Sequence, residues 1–202
     1  MLQTITGKNA GVPEIIPWET PLSTISGDFH TRLNPATDLN TNLPLYNSVS
    51  WMEIGVPADA SFRFLPVSQE KPLVIYGTSI AQGACASRPG MAWGNILNRK
   101  LGHPVINLGF SGNGKLEEAL FDLLSEIDAR LYIIDCMPNL AGKEASAVVY
   151  QRTLEGVKKL REKSRAPILL VEHDGYSNEF SSESAEESYR VANAELRKAY
   201  ET

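Results

Sequence analysis

The sequence predicts an α/β protein: a three-layer α/β/α domain on a parallel sheet, with a partial β-rich segment ahead of it. Three observations carry the prediction. Four short runs are apolar throughout, helical patterns alternate with them, and the composition changes near residue 70. The change divides the 202 residues into a loop-rich and β-rich segment over 1–70 and an α/β domain over 71–202.

Residues 1–43 are rich in Thr, Asn, Pro and Gly and have no helical period, so they read as loops with at most short strands. LPLYNSVSWMEIGV (43–56) and SFRFLPV (61–67) place β-type residues in partial alternation on either side of the turn-like PADA, which predicts a small β element. From Lys71 onward the apolar runs are PLVIY (72–76), PVINL (104–108), LYIID (131–135) and PILLV (167–171). Runs this uniform do not suit a sheet with one wet face; they read as parallel strands covered on both sides. Helical patterns separate them: Met91 to Leu101, then Leu116, Ala119, Leu120, Leu123 and Ile127, then about Ser146 to Lys163. A last amphipathic segment, SESAEESYRVANAELRKAYE, puts Tyr189, Ala192, Leu196 and Tyr200 on one face and its acids in the first turns, where the helix dipole favours them. A doubly wound sheet normally adds another strand after such a helix, so the expectation is a domain incomplete at its C-terminus.

An apolar content of 43% is enough for a substantial core. The net charge of −5, with no Lys/Arg run, argues against nucleic acid, and no apolar stretch approaches the roughly 18 residues of a membrane span. Cys85 and Cys136 are the two cysteines, which excludes a disulfide framework and any zinc-like spacing; neither metal nor cofactor is expected. The N-terminus lacks the basic start and apolar core of a signal peptide, which leaves the compartment open.

Right-handed crossovers bring every strand-to-helix turn out at one edge of the sheet, where open α/β folds bind ligands. Ser79 lies three residues beyond the first run, Gly112 four beyond the second and Asn139 four beyond the third. With the flavodoxin-like strand order 2-1-3-4 the three turns are neighbours. A seryl oxygen there can attack a carbonyl while the N–H groups of Ser79 and Gly112 and the Asn139 amide face the developing oxyanion. Gly77 and Gly112 are then glycine because the backbone turns tightly and approaches substrate closely.

These residues resemble the SGNH hydrolases, or GDSL-like lipases and acylhydrolases, over about residues 70–180. Gly77-Thr78-Ser79-Ile80 looks like the Gly-Asp-Ser-Leu block, Gly112 matches the second-block glycine and Asn139 the third-block asparagine. The resemblance implies an acyl-enzyme on Ser79, with Ser79, Gly112 and Asn139 as the oxyanion hole. GTSIAQGACASRPGMAW, NLGFSGNG and IDCMPN are similar to the branch with a β-sandwich ahead of the hydrolase domain, so 1–70 reads as a remnant of that sandwich and 44–66 as its tail. The implied substrates are short acyl esters, with acetylated carbohydrate as a candidate, hydrolysed or transferred.

Departures accompany the match. Thr78 replaces the aspartate, MPNL replaces Gly-x-Asn-Asp, and no Asp-x-x-His follows Asn139. His30 lies in the leader and His103 at the opposite sheet edge. His173, beside Asp174 after the fourth run, is the internal candidate for the base, its plainer reading being a surface-loop histidine. Cys85 reads as a small buried thiol, and Arg88 and Trp93 as pocket or core residues.

Two other readings stand beside this one. GFSGNGKL (109–116) spells Gly-x-x-x-x-Gly-Lys after a strand, with Asp135 ending a Walker-B-like run, but Leu116 stands where a P-loop needs Ser or Thr for magnesium. A non-catalytic remnant that binds a sugar or acyl ligand is the third. Without a further strand beside it, PILLV is an apolar edge that invites self-association.

Overall fold

The computed structural model describes residues 2–5, 42–50, 54–57, 66–176 and 183–202. The chain divides into two compact units, Met1–Val67 and Ser68–Thr202. In the first, β1 (Leu2–Ile5) pairs antiparallel with β2 (Ile54–Pro57), Leu2 opposite Pro57 and Ile5 opposite Ile54. The strand partner of the Ile54 segment is therefore the extreme N-terminus. Pro57, read as the start of a turn, ends the strand, and most of SFRFLPV, like His30, lies outside the described residues.

The second unit runs β3 (Leu73–Gly77), α1 (Ser79–Gln82), a 3₁₀ turn (Pro89–Met91), α2 (Trp93–Leu101), β4 (Val105–Gly109), α3 (Glu118–Leu124), β5 (Leu131–Asp135), a 3₁₀ turn (Met137–Asn139), α4 (Lys143–Ser146), α5 (Val149–Lys163), β6 (Ile168–Leu170) and α6 (Glu183–Tyr200). Its parallel sheet has the order β4-β3-β5-β6, the expected 2-1-3-4. The register sets Gly77 level with Gly109 on one side and with Asp135 on the other, so three strands end together.

Alternation along the strands makes two cores. Val74, Tyr76, Tyr132 and Ile134 face Phe121 and Leu124 of α3, Val149 and Leu160 of α5, and Ala192 and Leu196 of α6. Ile75 and Ile133 face the other way, with Ala81 of α1 and Trp93 and Leu97 of α2. The helices change sides because the chain reverses direction across the sheet after β4, and right-handed crossovers then demand the opposite face. Only the central strands are covered on both sides: β4 and β6 are partly exposed, with Leu169 at 50%. Uniform apolarity overstated the burial of these two, because each has a single pairing strand in the described sheet.

Helix limits follow local chemistry. Buried Val149, Thr153, Gly156 and Leu160 form one stripe on α5, and Arg161 and Lys163 complement its C-terminal dipole. At Gly156 a Cβ would collide with the Phe121 ring, so α5 and α3 pack through this glycine. Burying Phe121 there contributes about 2–3 kcal/mol. Two apolar positions face outward against expectation, Leu123 (58% exposed) on α3 and Tyr200 (80%) on α6. The α3 core face is Phe121 and Leu124, and Ala199 replaces Tyr200 in the α6 stripe. Cys85 is exposed, not buried, because the chain turns out of α1 through Gly83 (φ +111°) and Cys85 itself has φ +63°.

Candidate active site

At the C-terminal edge of the sheet the first turn is built by Gly77 and Thr78. A Cβ on Gly77 would strike the Asp135 carbonyl oxygen and lie 2.7 Å from the Ala81 Cβ, so a close approach of strands, and not a positive φ, requires this glycine. Thr78 is fully buried: its N–H donates to the Asp135 carbonyl at 3.2 Å, and its Oγ1 accepts from the Ile80 N–H at 3.3 Å. Thr78 thus caps α1, a role threonine fills as aspartate does. Ser79, half-buried, takes the first helical position, where an N–H has no intrahelical carbonyl to meet. Asn107 of β4 fixes the far end of α1, its Nδ2 donating to Ala81 O at 2.8 Å.

The second turn is held from below. Phe110 N–H donates to Gly77 O at 2.9 Å and Asn113 N–H to Phe110 O at 3.0 Å. Gly112 (φ +72°) is the corner and borders open space, so it is the left-handed backbone that favours glycine here, not crowding. Gly114 (φ +70°) is crowded as well: a Cβ would overlap Gly77 O. Leu116 keeps φ +58° without being glycine, and its side chain is buried. Below it the Tyr76 hydroxyl donates to the Glu117 carboxylate, which also accepts from Lys115 N–H at 2.7 Å, while Glu117 N–H donates back to the Tyr76 hydroxyl at 3.0 Å. Burial pushes the Glu117 carboxyl up, yet the Tyr76 hydroxyl, these N–H groups and the Arg152 charge together hold it below its usual range. Burial pushes the Tyr76 phenol upward, so it remains a donor. This geometry is unlike a phosphate cradle, since α3 starts only at Glu118 and the Lys115 N–H is engaged by Glu117.

The third turn closes the rim. Buried Met137 and Leu140 anchor it, and Asn139 Nδ2 donates to Asn113 O at 2.5 Å. All three turns are therefore bonded or packed directly against one another: Thr78 to Asp135, Gly114 to Gly77, and Asn139 to Asn113.

The GDSL-like Lipase/Acylhydrolase family matches residues 70–202. The chain belongs to this family. Among solved structures it is similar to a Bacteroides ovatus ATCC 8483 protein described as a GDSL-like lipase, with 38% identity, a TM-score of 0.72, and 79% of this chain and 47% of that one covered. It is also similar to a salicylyl-acyltransferase from a tetracycline biosynthetic pathway, at 18% identity and a TM-score of 0.60 over 74% of this chain and 43% of the other, which shows a shared fold. The chain spans less than half the length of either. No curated protein matches it.

Within this GDSL-like chain His173 sits beyond β6 on the same rim, buried. Its ring stacks on Tyr189 (4.2 Å between centroids) and meets Tyr176 edge-on (4.7 Å), and Nδ1 accepts from Gly175 N–H at 2.8 Å. The surface-loop reading fails, because Asn193 of α6 clamps the His173 backbone with two hydrogen bonds of 2.8 Å and draws the ring inward. Asp174 is fully exposed, with its Oδ1 3.9 Å from His173 Nδ1. His103 lies at the opposite sheet edge, ahead of β4, with Nδ1 3.9 Å from a Glu70 carboxylate oxygen. Trp93 is half-buried and donates from Nε1 to Ile80 O at 3.2 Å, bracing α1; Arg88 is exposed at the foot of the same segment.

Sequence reasoning missed Asp135 as a rim group in its own right. It ends β5 beside Gly77, is 9% exposed, and has its carboxyl pushed up to about 6 by burial first and by Asp174 second. A single acid closing an apolar run was the available signal.

Proposed function

We propose that the chain carries a serine-dependent acyl-ester site, hydrolysing or transferring short acyl groups through an acyl-enzyme on Ser79. The mutual bonding of the three rim turns is the observation that supports it most directly. Ser79 Oγ forms a bond to the ester carbonyl carbon as its proton passes to solvent water, and water returns a proton to the oxygen of the leaving group when the C–O bond breaks. The carbonyl oxygen becomes an oxyanion that accepts from the Ser79 and Gly112 N–H groups and from Asn139 Nδ2, and collapse expels the alcohol. Asn139 has two amide hydrogens, one engaged by Asn113 O and a second for the oxyanion. Gly112 in the left-handed region turns its backbone at the open corner, consistent with an N–H presented to substrate. Water or another acceptor then attacks the acyl carbon and releases Ser79.

The proton acceptor is the demanding part. The Gly175 N–H on Nδ1 holds the neutral His173 ring as the Nε2–H tautomer, which leaves no lone pair at Nε2 for the seryl proton. We therefore assign His173 to packing of the β6 exit loop and expect acylation by an activated ester to outpace hydrolysis. The test is intact-mass and peptide mass spectrometry after incubation with p-nitrophenyl acetate, whose leaving group needs no protonation. Acetyl on the Ser79 peptide is the expected result. Equal acetylation of the same peptide in Ser79→Ala, or none in the folded wild type, would overturn the proposal.

A further inference from the structure

The second turn carries three left-handed residues at alternate positions, Gly112 (φ +72°), Gly114 (φ +70°) and Leu116 (φ +58°). A leucine held there is strained, and such a residue persists only where its surroundings over-determine it. Glu117 supplies that constraint. Its Oε2 accepts from the Lys115 N–H at 2.7 Å, which closes a loop across Leu116, and also accepts from the Tyr76 hydroxyl. Its own N–H donates back to that hydroxyl at 3.0 Å, so Glu117 meets Tyr76 through side chain and backbone alike. The Leu116 side chain is buried in the core beside Phe121, and Arg152 Nη1 of α5 donates to Lys115 O at 2.8 Å. Gly112 has no such support of its own. A Cβ there would meet nothing within 4 Å, so its orientation is inherited from the anchors on either side. Upstream these are Phe110 N–H on Gly77 O (2.9 Å) and Ser111 N–H on Gln82 Oε1 (3.2 Å). Downstream they are Asn113 O on Asn139, Gly114 against Gly77 O, and then the Glu117 clamp. Tyr76 stands on β3 three residues before Ser79, so the clamp ties the second turn to the strand that leads into the first.

We propose that Glu117 is a positioning residue for the oxyanion hole, holding the Gly112 N–H and, through the Asn113 carbonyl, the Asn139 amide in place beside Ser79. This rests on the reading of Ser79, Gly112 and Asn139 as an acyl-transfer site. Glu117 acts through the backbone, not on the reacting atoms. A carboxylate suits the task because one of its oxygens accepts two charge-assisted hydrogen bonds, and partial burial strengthens both. An apolar side chain at this position leaves the Lys115 N–H and the Tyr76 hydroxyl without their acceptor. Leu116 then relaxes from its left-handed conformation and turns the peptides that precede it. Oxyanion donors work only when aimed at the developing charge, and a displacement of about 1 Å can cost about a hundredfold in rate.

Backbone amide NMR relaxation on the 202-residue chain tests the positioning without any ester. Order parameters of Gly112 and Asn113 should be about 0.85 in the wild type and in Glu117→Gln, whose amide oxygen still accepts both hydrogen bonds, and should fall below about 0.6 in Glu117→Ala. Those of Ile75 and Ile133, in the central strands, should not change. Glu117→Ala should also slow Ser79 acetylation by p-nitrophenyl acetate about 10–100-fold at an unchanged half-saturating ester concentration, and Glu117→Gln should recover most of that loss. Four results would each overturn the proposal: unchanged order at Gly112 and Asn113 in Glu117→Ala, an equal loss of order at Ile75 and Ile133, a Glu117→Gln protein as loose as Glu117→Ala, or acetylation of Glu117→Ala at the wild-type rate. If Glu117→Ala does not fold, Tyr76→Phe removes the hydroxyl from the clamp while its ring stays against Phe121, and the same loss of order is required of it. A wild type rigid at Gly112 but never acetylated on Ser79 would refute the acyl-transfer reading, while the order parameters still decide the clamp, so the two failures are separate results.

Discussion

Replacing Asp135 by asparagine should stabilise the protein near neutral pH, and the size of the effect follows from its surroundings. The carboxyl is pushed from 3.8 to about 6, a difference of about two pH units. At about 1.4 kcal/mol per unit, keeping it ionised in the folded protein costs about 3 kcal/mol. The sign is that of an acid whose folded pKa is raised. Between about pH 4 and 6 the folded chain binds more protons than the unfolded chain, so this group's contribution is fully present below pH 4 and lost as pH rises through 6. An amide at the same place retains part of the desolvation penalty, which leaves an expected gain of about 1–3 kcal/mol for Asp135→Asn at pH 7.5 and a difference shrinking toward acid pH. Urea unfolding of both proteins at about pH 4, 5, 6 and 7.5 measures this directly. A variant no more stable than wild type at pH 7.5, or a gain that does not shrink as pH falls, would refute the reasoning.

Glycines of the second turn should separate by mechanism. Gly112→Ala meets only the left-handed backbone and should cost about 1–2 kcal/mol, whereas Gly114→Ala adds a collision with Gly77 O and should cost about 2–4 kcal/mol, read as the difference in urea midpoints. Asn139→Ala should slow acylation by p-nitrophenyl acetate about 10²–10³-fold with a much smaller effect on ester binding, because an oxyanion bond strengthens only in the transition state. Weaker binding at an unchanged acylation rate would make Asn139 a ground-state contact.

What the chain pattern decided by itself is the scaffold. PLVIY, PVINL, LYIID and PILLV each fell on one strand to within a residue, because runs this short and apolar have few alternatives once helical periods separate them. Crossover handedness then put Ser79, Gly112 and Asn139 on one edge from their spacing alone. The family resemblance rested on the same residues, and the family match spans them. Tertiary structure decided everything that depends on what a side chain meets across the fold. Leu123 and Tyr200 have the apolarity of core residues but face outward, since the helices rotate to bury Phe121, Leu124 and Ala199 instead. Tyr76 and Glu117 pair across 41 positions, Asn139 engages Asn113 across 26, and His173 is drawn inward by Asn193 across 20, none of it visible in local pattern. Asp135 is the clearest case: as a letter it ended a strand, and only burial by its neighbours, with the charge of Asp174 second, pushes its carboxyl up to about 6. Periodicity is set by backbone geometry within a few residues, while dielectric and hydrogen-bond partners are set by segments distant in sequence.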